Sequence, residues 1–290
     1  MGVVTELFLP LALAFIMFAL GLGLTIDDFA RVATRPGDFL VGALCQLVLL
    51  PIVAFVLIGL WPMAPELALG VMIIAAVPGG VTSNMITALA RGDVALSISL
   101  TAVISLVSVI TIPLIVAFAH GYIFGDESGR EISVISTAIG VFLIVTVPVV
   151  LGLLTRQFAG GFAGKFEPIA RRIASILFII VLGGAILQER ANIVPYFAQA
   201  GLVTLVLNVV MMVLAYLVAH ILASGLRQKI AISIECGLQN GTLAIAVATL
   251  LFGGGPSVIP AATYSLIMFA TSLILVAFWR NQVSDPALPA

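Results

Sequence analysis

Charge is what this chain has least of. Of its 290 residues, 12 are Lys or Arg and 13 are Asp or Glu. That is 9% of the chain, where a soluble domain carries about 25%. With 62% hydrophobic residues and a mean hydropathy of +1.29, a soluble globular domain is excluded. A net charge of −1 offers no basic surface for nucleic acid. The two cysteines, Cys45 and Cys236, both lie in apolar stretches and outline no disulfide framework. The two histidines, His120 and His220, fall near the ends of apolar runs, so imidazole and thiolate are too scarce for a transition-metal site. No His or Asp stands inside an apolar run to activate a serine, which argues against an intramembrane enzyme. Rings of charge, as a channel would want, are missing too. The apolar runs are continuous rather than alternating, which excludes a β-barrel. No basic segment precedes the first run and no small-residue cleavage site follows it, so it is expected to be a retained helix.

What is present is a series of apolar runs, each near the roughly 20 residues that cross a bilayer as a helix. Nine spans are predicted, near 5–24, 38–60, 67–90, 94–118, 134–155, 173–190, 197–222, 230–252 and 259–279. The chain therefore reads as an all-α polytopic membrane protein. The connection Thr25–Gly37, with Asp27, Asp28, Arg31 and Arg35, is expected to hold a short interfacial helix. With the N-terminus outside, Arg31, Arg35, Arg91, Arg156, Lys165, Arg171, Arg172, Arg227, Lys229 and Arg280 fall on the cytoplasmic side. Only Arg130 and Arg190 of the 12 basic residues stay out, a strong positive-inside bias. The outer loop His120–Ser133 is acidic, with Asp126, Glu127 and Glu131. This pattern places the C-terminus in the cytoplasm and the protein in a cell membrane, expected to be a bacterial inner membrane.

Two spans are interrupted. The third contains Val77-Pro-Gly-Gly-Val-Thr-Ser-Asn84. Pro78 removes a donor, and Gly79 and Gly80 tolerate backbone angles that other residues resist. The eighth contains Glu235-Cys-Gly-Leu-Gln-Asn-Gly241, and Glu235 is the acid set deepest in an apolar run. A buried carboxylate is retained only where something neutralises it. The two interruptions lie five spans apart on antiparallel spans. That predicts an inverted repeat of five helices lacking its first member, within one transporter unit: 1–118 as a first repeat of four helices, 134–279 as a second of five. Broken helices crossing at mid-depth present N-terminal dipoles to an anion and free carbonyls to a cation. A simple kink is the alternative for either element alone.

Ser97, Thr101, Ser105 and Ser108 share one face of the fourth span. Each hydroxyl could instead bond back to its own helix. The short loop Arg91-Gly-Asp93 folds spans three and four into an antiparallel pair and brings Ser97 and Thr101 near Ser83 and Asn84. Gln46 lies in the second span, where it could equally bond a neighbouring helix. Neutral oxygens beside one carboxylate suit sodium; a lone buried Glu could titrate instead, which leaves proton coupling as the alternative.

Taken in order, Gly21-Leu-Gly-Leu-Thr-Ile-Asp-Asp-Phe29, Gln46 with Pro51, Pro78–Asn84, Ala90-Arg-Gly-Asp-Val-Ala-Leu-Ser97 with Thr101, and Glu235-Cys-Gly-Leu-Gln-Asn240 resemble the bile acid:sodium symporter family over nearly the whole chain. The resemblance implies a panel and a core domain, crossed broken helices in the core, and a nine-span form without the first of ten helices. It implies a sodium-coupled symporter of an organic anion, a bile acid or small carboxylate, working by alternating access. Two sodium ions would bind. One would be held by Ser83, Asn84, Ser97, Thr101 and Glu235. The other would be held by Gln46, Glu235, Gln239 and the carbonyls of Cys236 and Leu238. The substrate would meet Val81, Thr82 and Asn240. Val81 departs from the family's pattern, which has Thr there in several bacterial members, while Thr82 follows it.

Overall fold

A computed structural model describes residues 7–34, 36–125, 133–188, 193–280 and 282–283. It is helical throughout. The helices are α1 (Leu9–Leu22), α2 (Ile26–Thr34), α3 (Pro36–Leu60), α4 (Pro65–Ala76), α5 (Val81–Leu89), α6 (Val94–Phe124), α7 (Val134–Phe158), α8 (Gly160–Gln188), α9 (Ile193–Leu222), α10 (Leu226–Gly237), α11 (Gly241–Phe252) and α12 (Ile259–Trp279). Among the described residues, six are long and apolar enough to cross a membrane: α3, α6, α7, α8, α9 and α12. The pair α1–α2 qualifies only together, and it is bent by 69°. Leu11, Ile110, Ile139, Ile179 and Leu217 point outward from five different helices, the arrangement of a bundle solvated by lipid.

The amphipathic α2 falls in the connection where a short helix was expected, with Asp27 and Asp28 in its first turn and Arg31 in its last, as the helix dipole favours. One boundary departs from expectation. Helix α8 begins at Gly160 rather than near 173, so Lys165, Arg171 and Arg172 are helical. Apolar periodicity does not register this part, because long basic side chains let a helix continue past the apolar layer. The expected outer loop with Asp126, Glu127, Arg130 and Glu131, together with Arg35 and Arg190, lies outside the described residues.

Helix α1 packs on α7 and α8. Its contact with α7 is set by two glycines. A Cβ on Gly21 would lie 2.1 Å from the Val149 carbonyl oxygen, and one on Gly152 would lie 2.3 Å from that of Phe18. Backbones this close maximise dispersion where lipid supplies no hydrophobic drive between helices. Helices α9, α10 and α12 pack together, and α4 lies against α6.

The two breaks meet each other. Helix α4 ends at Ala76 and α5 begins at Val81; α10 ends at Gly237 and α11 begins at Gly241. The intervening residues are extended and form one antiparallel bridge, Gly79 to Gln239. Gly80 N donates to Leu238 O at 3.1 Å, and Asn240 N to Pro78 O at 2.9 Å. Backbone groups that leave a helix within the apolar layer need protein partners, and each break supplies them to the other. Neither Gly79 nor Gly80 has a positive φ. The expectation that these glycines serve unusual backbone angles is therefore corrected: what Gly79 provides is space. A Cβ there would lie 2.3 Å from Glu235 Oε1.

Candidate functional site

Beside the crossing of the two breaks sits Glu235, with no solvent exposure. Helix α10 carries it, and α5 and α6 face it. The turn between these last two is tight: Gly92 N bonds to Thr87 O at 2.8 Å, and Asp93 caps α6 by accepting from Leu96 N at 3.0 Å. This hairpin aligns Ser83 and Asn84 with Ser97 and Thr101. Ser83 and Ser97 donate to Glu235 Oε2 at 2.6 and 2.7 Å, and Thr101 donates to Oε1 at 2.5 Å. Asn84 Oδ1 lies 2.8 Å from Ser97 Oγ and 3.4 Å from Thr101 Oγ1. Ser83 Oγ is also 2.6 Å from the Gly80 carbonyl.

Each hydroxyl has one hydrogen. Those of Ser83, Ser97 and Thr101 are shared among both Glu235 oxygens, the Gly80 carbonyl and Asn84 Oδ1. Three hydroxyls thus converge on a carboxylate shut off from water, with the Asn84 amide oxygen beside two of them. Such a cluster suits a small hard cation, which takes several oxygens at once.

Gln46 and Gln239 lie on the other side of Gly79. Gln46 Nε2 donates to Gln239 Oε1 at 3.4 Å, and a Cβ on Gly79 would fall 3.2 Å from that nitrogen. Gln46 Oε1 is buried without a partner. A π turn, Cys45–Leu49, directs Gln46 inward. Pro51 has no N–H for the carbonyl four residues back, and the wider turn accommodates that loss. The Cys236 carbonyl accepts from Gln239 Nε2 at 2.9 Å, and the Leu238 carbonyl from Gly80 N. Those two carbonyls thus already have protein donors, whereas Gln46 Oε1 has none.

Ser105 and Ser108 turn away from this cluster. Each bonds back to its own helix at 2.6 Å, to the carbonyls of Thr101 and Ser105. Among the described residues no group of three or more His, Cys, Asp or Glu could hold a metal ion. Two polar residues that sequence reading passed over support the break from behind. Asn208 Nδ2 and the Tyr264 hydroxyl donate to the Gly237 carbonyl at 2.7 and 3.0 Å. An Asn in the middle of the apolar run of α9 was the available signal.

Val81, Thr82 and Asn240 line one cavity of about 410 Å³ between α1 and α8 on one side and the starts of α5 and α11 on the other. Its walls are mostly apolar, with Met17, Phe178 and Phe269 among them. Asn240 Oδ1 caps α11, accepting from Leu243 N at 3.0 Å. Arg171 also lines this cavity.

Residues 10–196 match the model of the Sodium Bile acid symporter family. The chain belongs to that family. With its six apolar helices of spanning length, that membership makes it an integral membrane protein. One relative is the probable sodium/metabolite cotransporter BASS1, chloroplastic, of Arabidopsis thaliana. It is 31% identical over 267 residues, which are 92% of this chain and 65% of that protein. The uncharacterized sodium-dependent transporter YocS of Bacillus subtilis (strain 168) is 29% identical over 280 residues, 95% and 84% of the two chains. The P3 protein of Homo sapiens is 28% identical over 251 residues, 84% and 51%. The chain thus spans slightly less than two thirds of the plant relative and about half of the human one.

Proposed function

We propose that this chain is a sodium-coupled symporter of an organic anion. The observation that carries the reading is Glu235, fully buried, with the hydroxyls of Ser83, Ser97 and Thr101 and the Asn84 amide oxygen gathered around it. Sodium at Ser83, Asn84, Ser97, Thr101 and Glu235 would neutralise that charge. A second ion at Gln46, Glu235 and Gln239, with the carbonyls of Cys236 and Leu238, would employ the partnerless Gln46 oxygen. The sodium dependence in the names of the Arabidopsis and Bacillus relatives points the same way.

In this reading α1, α7 and α8 form a panel, and the remaining spans form a core. Nine spans put the N-terminus outside and the C-terminus in the cytoplasm. A bile acid or small carboxylate would bind in the cavity between panel and core, against Val81, Thr82 and Asn240, and rocking of one against the other would switch access. The α5 and α11 N-termini at the cavity floor favour an anion.

Proton coupling has one observation in its favour. A protonated Glu235 could donate a hydrogen bond to Ser83 Oγ while the Ser83 hydroxyl donates to Gly80 O, within the same distances. Thermal unfolding in detergent, titrated with sodium against potassium at constant ionic strength, separates the two. The expected result is a saturable rise with sodium, about 2.7 kcal/mol at one hundred times Kd. Glu235→Ala should lose it wholly and Thr101→Val should weaken it. Equal responses to sodium and potassium in wild type, with stability following pH alone, would move the assignment to protons.

A further inference from the structure

Arg171 lies about three helical turns inside α8, and its residue type alone would class it with the cytoplasmic basic residues. Its position is more specific. It lines the cavity that also holds Thr82 and Asn240, and Ser175, one turn further along, lines it with Arg171. The guanidinium is tucked against the end of α1: a Cβ on Gly23 would lie 3.6 Å from Arg171 Nη2 and 3.6 Å from Glu167 Oε1. Gly23 is the C-cap of α1, where the helix dipole favours a cation. Arg171 pairs with Glu167, four residues before it. That carboxylate is shared, because Arg156 reaches its other oxygen at 3.9 Å. Two guanidinium groups against one carboxylate leave a surplus positive charge at the cavity's edge. Arg172, the next residue, does not line that cavity; it borders an outer groove that it shares with Glu167, Pro168, Ser175 and Arg171 itself.

We propose that Arg171 is the residue that selects a negatively charged substrate, holding a carboxylate at the mouth while the apolar body lies against Met17, Phe178 and Phe269. The assignment rests on the symporter reading for the identity of the cavity. Guanidinium binds carboxylate through two parallel N–H donors, which distinguishes it from an ammonium at the same place. Glu167 is then the partner that holds the guanidinium in place until the substrate arrives.

The test measures binding by the full chain in detergent, with sodium present and absent, using cholate, cholate methyl ester and octanoate as probes at submicellar concentration. Wild type should bind the two carboxylates and prefer cholate to its uncharged ester. Arg171→Gln should bind both about tenfold more weakly, equivalent to about 1.4 kcal/mol, and lose the preference for charge. Its sodium-induced rise in stability should remain, which shows that it is folded. Arg171→Lys should recover part of the preference. Arg172→Gln removes the same charge from the adjacent position of the same helix and should behave as wild type. Unchanged cholate affinity and charge preference in Arg171→Gln would overturn the assignment, as would equal losses in Arg172→Gln. Binding of neither carboxylate by wild type would overturn it as well. Absence of a sodium response in wild type would remove the ion-coupling reading, and the comparison of cholate binding would still decide Arg171.

Discussion

At the scale of single residues, the site depends on one missing side chain. Gly79 separates Glu235 from Gln46, and a methyl group there would lie 2.3 Å from Glu235 Oε1 and 3.2 Å from Gln46 Nε2. Both neighbours are buried and the carboxylate is already held by three hydroxyls, so neither can retreat without breaking its bonds. Gly79→Ala should therefore destabilise the protein by about 1–3 kcal/mol, as overpacking does. It should also weaken sodium binding by about tenfold or more, since 1.4 kcal/mol at the ion site suffices for that. Calorimetric titration with sodium checks the second figure and thermal unfolding the first. Wild-type sodium affinity in Gly79→Ala would mean that the carboxylate and Gln46 do not share the ions. By contrast Gly80 has 3.4 Å or more around its would-be Cβ, so Gly80→Ala should be mild in both measurements.

At the scale of elements, Gln46 faces the site because α3 widens by one residue at Cys45–Leu49. The cause proposed here is Pro51, which cannot donate to the carbonyl four residues earlier. Pro51→Ala restores that donor and lets α3 close into a regular helix, which turns Gln46 about 100° from Gln239 at 3.6 residues per turn. The expected outcome is a Hill coefficient for sodium activation that falls toward one, with the Glu235–Thr101 cluster still binding. A coefficient unchanged from wild type would detach Gln46 from coupling. Such an element shows how far the chain could be read before its structure. The breaks at Pro78 and Glu235 are legible, because proline and a deep acid are local and costly signals. The grouping of Ser83, Asn84, Ser97 and Thr101 is legible too, because a loop as short as Arg91–Asp93 permits only one packing of its helices. The pairing of the two breaks through Gly80–Leu238 and Asn240–Pro78 is not legible, since it joins residues far apart in sequence through backbone atoms that every residue shares. The function of Gly79 is hidden for the same reason: a close approach depends on the neighbour. The start of α8 at Gly160 eludes an apolar pattern because the helix there is charged.

For the molecule as a whole, the proposed function makes the cavity's position bear on which way the chain would face. Its lining includes the second half of α1 and Arg171, with Glu167 and Arg156 close by. Those arginines belong to the basic cluster that the positive-inside rule assigns to the cytoplasm. On the proposed function and topology, the described conformation would be open inward, with the ion site closed behind the crossing of the breaks. Met85 lines this cavity and is 58% exposed, while Cys45 and Cys236 are buried, so a cysteine at position 85 can be labelled against a low background. In sodium-free vesicles, a membrane-impermeant maleimide should modify Met85→Cys from the cytoplasmic face of everted vesicles. It should fail to do so from the outer face of right-side-out ones. Sodium with cholate should slow the reaction from the inside, because closing the panel on the core removes the path along Arg171. Labelling from the outer face alone would reverse the assigned orientation. Equal labelling from both faces would mean that position 85 is exposed to each side in turn, and would remove the inward-open assignment.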